Sequence, residues 1–203
     1  MLEHSYVSRA TIGRIPLYLR YLKNNYHGTE NISATSLARA LGLGEVQVRK
    51  DLSAVSGAGR PKTGYNIGEL TKALEEFLGG KSNVVILGAG KLGRALLDYS
   101  GFGDYGLNII AAFDISVGEV QHSNSGKPIF PADMLESFCA ESNAKIGIIT
   151  VPAVAAQEVC DRLVGCGIKG IWCFAPSHLT VPDDVEVQYE NMALSLAYLN
   201  KKI

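Results

Sequence analysis

Long apolar runs are missing from this 203-residue chain. The longest, residues 108–113 and 146–151, are strand-length, far below the roughly 20 residues that a membrane-spanning helix needs. Arg9, Arg14 and Arg20 interrupt the first twenty residues, so a secretory signal with its unbroken apolar centre is not expected. Cysteine is scarce. Cys139, Cys160, Cys166 and Cys173 form no CxxC and pair with no histidine at zinc spacing. A reduced, cytoplasmic, metal-free protein is expected. No repeat of 20–50 residues and no low-complexity tract occurs.

Charged residues make up 19% and hydrophobic ones 47%, a globular composition that excludes disorder as the main state. The length allows one domain or two small ones. The net charge of −1 hides an asymmetry: residues 1–65 carry nine Lys/Arg against four acids, and the remainder carries ten against sixteen. A basic end on an acidic body suggests that one end meets a polyanion.

The clearest seam is Gly79-Gly80-Lys81-Ser82. Before it, the pattern predicts helices over about 6–24, 33–41, 45–54 and 69–78. After it, strand runs at 83–87, 108–114, 146–151, 168–174 and 185–189 alternate with helices near 91–99, 131–141, 153–165 and 191–201. Buried strands alternating with helices indicate a parallel, doubly wound α/β sheet. The chain is divided into residues 1–80, residues 81–190 and a terminal helix at 191–203.

Within the first part, a helix capped by Ser33 and ended by Gly42 is followed closely by a second helix opening at Glu45. The short glycine-containing turn suits a helix-turn-helix, whose helices cross steeply. On the second helix Gln47, Arg49 and Lys50 are polar, whereas Val46, Val48, Leu52 and Val55 can face a core. Gln and Arg can read base edges, and Lys neutralises phosphate. Residues 57–65, GAGRPKTGY, hold Arg60 and Lys62 on a hairpin that could serve as a wing. A three-helix interaction module with a solvated basic face is the alternative. Pro16 lies inside the first predicted helix, where a bend is expected.

In the second part, a strand runs into Gly88-Ala89-Gly90-Lys91-Leu92-Gly93 and then a helix. Gly88 permits the tight turn, Gly90 lets backbone approach a pyrophosphate, and Gly93 lets helix and strand pack closely. The helix N-terminus supplies N–H groups to phosphate. Asp114 ends the next strand 21 residues beyond Gly93, the spacing of an acid that binds the adenine-ribose hydroxyls. No Arg follows it, which favours NAD(H) over NADP(H). Thr150-Val151-Pro152 and Phe174-Ala175-Pro176 end later strands on the ligand side of an open sheet and could cradle the nicotinamide; ordinary strand-ending prolines are the alternative.

A dehydrogenase would need a proton donor beside the nicotinamide. Past Asp114 only His122 and His178 are available, both in loop contexts, and little chain remains for a substrate domain. No catalytic residue is assigned, and a sensor is favoured over an enzyme.

The segments VSRATIGRIPLYLRYLK (7–23), VQVRKDLS (46–53), GAGRPKTGYNIGEL (57–70), GAGKLGRALLDYSGF (88–102), AAFD (111–114), TVPAVAAQEV (150–159) and CFAP (173–176) together resemble the Rex family. The resemblance spans nearly the whole chain, in order. It implies a winged helix-turn-helix domain, a Rossmann domain binding NADH and NAD+, and a C-terminal helix exchanged between the subunits of a homodimer. It also implies a repressor of inverted-repeat operator DNA, released when NADH binds and compatible with NAD+. Arg14 and Tyr99 match a family arginine and tyrosine of the switch. The acid and aromatic that some members carry at the start of the last helix correspond here to Asn191 and Met192. A charged arginine–carboxylate contact is thus not implied, though an asparagine still offers a hydrogen bond. Two other classes stay open: a small NAD-dependent oxidoreductase with a DNA-binding appendage, and a CoA-binding Rossmann module.

Overall fold

The computed structural model describes residues 7–26 and 30–203, and of Ser195 the backbone alone. The predicted start of the first helix at residue 6 lies outside these. The chain forms two compact units, Met1–Gly80 with Asp104–Gly106, and Lys81–Gly103 with Leu107–Ile203.

The first unit contains α1 (Arg9–Asn25), β1 (Asn31–Ile32), α2 (Ala34–Leu41), α3 (Glu45–Ser56), β2 (Tyr65–Asn66) and α4 (Ile67–Phe77). Ser8 starts α1 by accepting a hydrogen bond from the Thr11 N–H, and Ser33 does the same for α2 from Ser36. Gly42 ends α2 in the left-handed region, at φ 66°. Only glycine enters that region without cost, and the chain turns there into α3. Ile15, Tyr18, Leu22, Leu37, Val48, Leu52, Leu70 and Leu74 close one core between the helices. The helix α1 continues as one element through the buried Pro16. Val46 also departs from expectation. It is 64% exposed rather than in the core, because successive side chains on a helix are turned by about 100° and Val48 and Leu52 already occupy the inward face. Arg60 and Gly64 exchange backbone hydrogen bonds of 2.8 and 2.9 Å, closing the expected hairpin, and β1 pairs antiparallel with β2 at its base.

In the second unit the elements run β3 (Ser82–Leu87), α5 (Lys91–Asp98), a 3-10 turn (Ser100–Tyr105, its last two residues counted with the first unit), β4 (Leu107–Asp114), β5 (Gln121–His122) and β6 (Pro128–Pro131). A 3-10 turn (Ala132–Met134) follows, then α6 (Leu135–Ser142), β7 (Ile146–Ile149), α7 (Ala153–Gly165), β8 (Gly170–Cys173), β9 (Glu186–Tyr189) and α8 (Met192–Asn200). Among the described residues they form a seven-stranded sheet, ordered β5-β6-β4-β3-β7-β8-β9, parallel except at the β5 edge. From β6 to β9 this is the doubly wound dinucleotide-binding order, which reverses direction at β3. The ligand crevice belongs at the carboxyl end of β3. Sequence patterning missed β5 and β6: β6 is only four residues, with proline at both ends, and its pairing with β4 rather than its composition makes it a strand. The helix predicted from 131 accordingly begins at Leu135.

Buried apolar side chains cover both sheet faces, with Val85, Leu87, Phe113 and Ile149 on one and Val84, Ile86, Ile109 and Ile148 on the other. The helix α8 is different. Met192, Leu194, Leu196, Tyr198 and Leu199 are all more than half exposed, and Ile203 beyond it almost wholly so.

Candidate functional site

At the end of β3 the chain turns through Gly88 with φ 101°, a conformation that favours glycine. A side chain there would also meet Thr150 Oγ1 at 2.8 Å. At Gly93 a Cβ would lie 1.8 Å from the Gly88 carbonyl oxygen, so helix α5 can sit this close to the turn only with glycine. Gly90 has nothing within 4 Å of such a position. It faces open space at the head of α5, where the unpaired N–H groups of a first helical turn attract anions. Thr150 Oγ1 donates to the carbonyls of Leu87 and Gly88, at 3.1 and 2.7 Å, and braces the loop from β7.

Asp114 is tied to the same loop. Its Oδ2 accepts from the Ala89 N–H at 2.6 Å, and its Oδ1 accepts from the Ser116 N–H and hydroxyl. Burial works to raise its pKa, but the bonds from Ser116 and Ala89 outweigh that and hold the carboxyl below its ordinary value. An ionised acceptor is thereby fixed at the rim of a cleft of about 440 Å³ lined by Gly88, Gly90, Asp114, Ile115, Thr150, Val151 and Pro152. A second cleft of about 450 Å³ gathers Leu92, Phe174, Ala175, Pro176, Asn191 and Met192. Most of the predicted nucleotide residues therefore line one or other of these clefts; Ala89 and Gly93 are buried and line neither, and Lys91 is exposed in the first turn of α5. Asn191 caps α8, its Oδ1 accepting from the Ala193 N–H at 3.1 Å. Tyr99 lies edge-on to Phe102, which in turn meets Trp172, and Trp172 packs on Phe174 with ring centroids 4.5 Å apart.

Among the described residues no group of three or more His, Cys, Asp or Glu is placed to hold a metal, and no helix is long and apolar enough to cross a membrane. Burial pushes the Cys139 thiol up to about 12 and Cys160 up to about 11, which leaves both protonated and packed in the core.

The first unit carries its own surface groove, of about 450 Å³, between the start of α2, α3 and the hairpin. Arg49, Arg60 and Lys62 line it together with Ser33, Thr35 and Ser53, hydroxyl residues that charge-based reasoning passed over. Arg49 pairs with Glu45 one turn earlier, and Lys50 is exposed beside it. Gln47 is partly engaged, its amide donating to Asp51 Oδ1 at 3.0 Å.

That carboxylate is the feature sequence reasoning did not find. Asp51 is 2% exposed and accepts from Thr11 Oγ1, Arg14 Nε and Nη2, Tyr18 Oη and Gln47 Nε2. Burial alone would raise its pKa, yet the bonds from Arg14, Tyr18, Gln47 and Thr11 bring it below the ordinary value. The hydrogen bond to Asp51 in turn raises the Arg14 pKa. Arg14, singled out as a switch residue, thus joins α1 to α3 inside the first unit. Its spacing of 37 residues from Asp51 gives no local signal.

Comparison with known proteins finds matches to both parts of the chain. The family model "CoA binding domain" matches residues 80–177, and "Putative DNA-binding protein N-terminus" matches residues 6–53. The redox-sensing transcriptional repressor Rex of Carboxydothermus hydrogenoformans is 40% identical over 200 residues, 97% of this chain and 96% of that one. The Rex of Porphyromonas gingivalis is 38% identical over 196 residues, covering 95% and 90%. A crystal structure of RSP with β-NAD+ and operator DNA superposes with a TM-score of 0.77 at 35% identity, covering 98% of this chain and 93% of that one. The same protein with β-NADH gives 0.70, also at 35% identity, covering 98% and 94%.

Proposed function

The chain belongs to the Rex family of redox-sensing transcriptional repressors, and from this premise we propose how its own residues carry that function. The protein is a DNA-binding repressor that responds to NADH and NAD+, and it is not an enzyme. Residues 1–80 form the winged-helix reader, residues 81–190 the nucleotide domain, and residues 191–203 a helix that pairs two copies. The observation that carries the nucleotide assignment is the glycine loop at the switch point of the sheet, with the Asp114 carboxylate fixed beside it.

The pyrophosphate lies over Gly88–Gly93 at the head of α5, with Lys91 available to it. Asp114 takes the adenine-ribose hydroxyls, with Thr150–Pro152 forming one wall. Phe174–Pro176 and Leu92 receive the nicotinamide, next to Asn191 and Met192 at the start of α8. Arg49 and Lys50 of α3, with Gln47 on its flank, approach the operator in the major groove, and Arg60 and Lys62 reach backbone or minor groove from the hairpin. Since NADH favours the dimer form that does not match the operator, operator DNA must by reciprocity weaken NADH binding.

The α8 surface supports the dimer: a helix apolar nearly all round is stable only when covered, and a second copy covers it while matching a palindromic site. Tyr99 and Arg14 are the proposed contacts of the partner's helix. With Asn191 spent on capping α8, its contact with such partners would run through the remaining amide group rather than through a charge.

Gly90→Ala and Asp114→Ala test the nucleotide site. Because nothing surrounds the Gly90 Cβ position, the substitution leaves the fold untouched, and its methyl group meets only the pyrophosphate. Both oxidation states should bind at least tenfold more weakly by calorimetry. Asp114→Ala should cost about 1–3 kcal/mol, the worth of hydrogen bonds to a charged group. CoA serves as the control ligand and should give no heat. Wild-type NADH affinity in both variants would overturn the assignment.

A further inference from the structure

Positions i, i+3, i+4 and i+7 of a helix share one face. On α3 these are Val46, Arg49, Lys50 and Ser53, while Val48 and Leu52 point into the core. Gln47 stands at the flank, held towards α1 by Asp51. The outward face is therefore two cations, a hydroxyl and one aliphatic side chain, and of these Val46 alone lies in the first turn of the helix after the Gly44 cap. The N-terminal residues of a recognition helix are those that reach base edges. At 64% exposure Val46 has two methyl groups to offer there, and β-branching in a helix leaves them essentially one orientation. The apolar feature of the major groove is the C5-methyl group of thymine; adenine, guanine and cytosine present only donors and acceptors or a bare C–H.

We infer that Val46 reads sequence, its side chain meeting a thymine methyl group at one A·T pair of each operator half-site. The inference rests on the reading of α3 as the recognition helix. It gives an outward valine a role that the charged residues beside it cannot fill, since Arg and Lys report guanine or phosphate.

The test removes a single methyl group. Each thymine of an operator duplex is replaced in turn by deoxyuridine, and binding is measured for the full-length wild type and for Val46→Ser, a substitution nearly neutral in helix propensity and expected to leave the melting temperature unchanged at this exposed position. Wild type should lose about fourfold in affinity at one thymine per half-site, the equivalent of about 0.8 kcal/mol for one buried methyl group. Val46→Ser should bind the natural operator more weakly by a similar factor and lose nothing more at that thymine. Deoxyuridine costs that are equal in the two proteins at every position overturn the role of Val46 and leave the recognition helix standing. A wild type that prefers the operator no more than unrelated DNA overturns the reading of α3 itself, and the inference with it.

Discussion

Asp51→Ala should destabilise the first unit by about 3–5 kcal/mol, the usual cost of breaking a buried ion pair from one side. The substitution strips the acceptor from Thr11, Arg14, Tyr18 and Gln47 at once. Arg14 keeps 23% of its side chain in solvent and can partly rehydrate, but Tyr18, fully buried, cannot. A unit of this size has on the order of 4–12 kcal/mol of stability, so the winged helix should stand close to unfolding. NADH affinity, which belongs to the other unit, should change little. Denaturant unfolding by circular dichroism, with NADH calorimetry alongside, separates the two effects. The pH dependence has a fixed sign: the folded Asp51 pKa is depressed below its ordinary 3.8, so its stabilisation is complete above that value and disappears as pH falls through the lower folded one. Wild type should lose first-unit stability under acid below about pH 4 more steeply than Asp51→Ala. Unchanged unfolding in the variant would mean that the cluster carries no stability.

Deletion after Glu190 should have the second large effect. It removes Met192, Leu194, Leu196, Tyr198 and Leu199, a set with no cover in the single chain. Sedimentation should find monomers, or dimers whose DNA affinity ignores NADH. A monomer engages one half-site, and losing the second contact typically costs about 10²–10⁴-fold in affinity. A truncated protein that stays dimeric and still releases operator on NADH addition would show that α8 takes no part in the switch.

Much of this architecture was legible because the decisive signals are local. A capped helix ended by Gly42, a strand entering a glycine loop, and a strand ending in Asp114 each lie within a dozen residues, and in the loop backbone sterics at Gly88 and Gly93 enforce the turn. What escaped depends on tertiary partners. β6 is a strand because β4 lies alongside, whatever its prolines suggest. Val46 belonged by composition to the core, yet the helical turn between it and Val48 puts it in water. Asp51 looks in sequence like one more solvated acid on a basic helix; only when α1 packs across α3 do Thr11, Arg14 and Tyr18 join its own-helix neighbour Gln47 in bonding to it. The same holds for the terminal helix, whose apolar surface was visible in sequence and which finds no cover for it within its own chain.

One nucleotide's oxidation state decides whether the operator is occupied. The direct measurement is a mobility shift on an inverted-repeat operator from the protein's own promoter, with NADH titrated into a fixed excess of NAD+. NAD+ alone should leave the complex intact, and NADH should release the DNA at concentrations far below the NAD+ present, with Asp114→Ala needing more NADH for the same release. Release by NAD+ and NADH alike, or by neither, would contradict it.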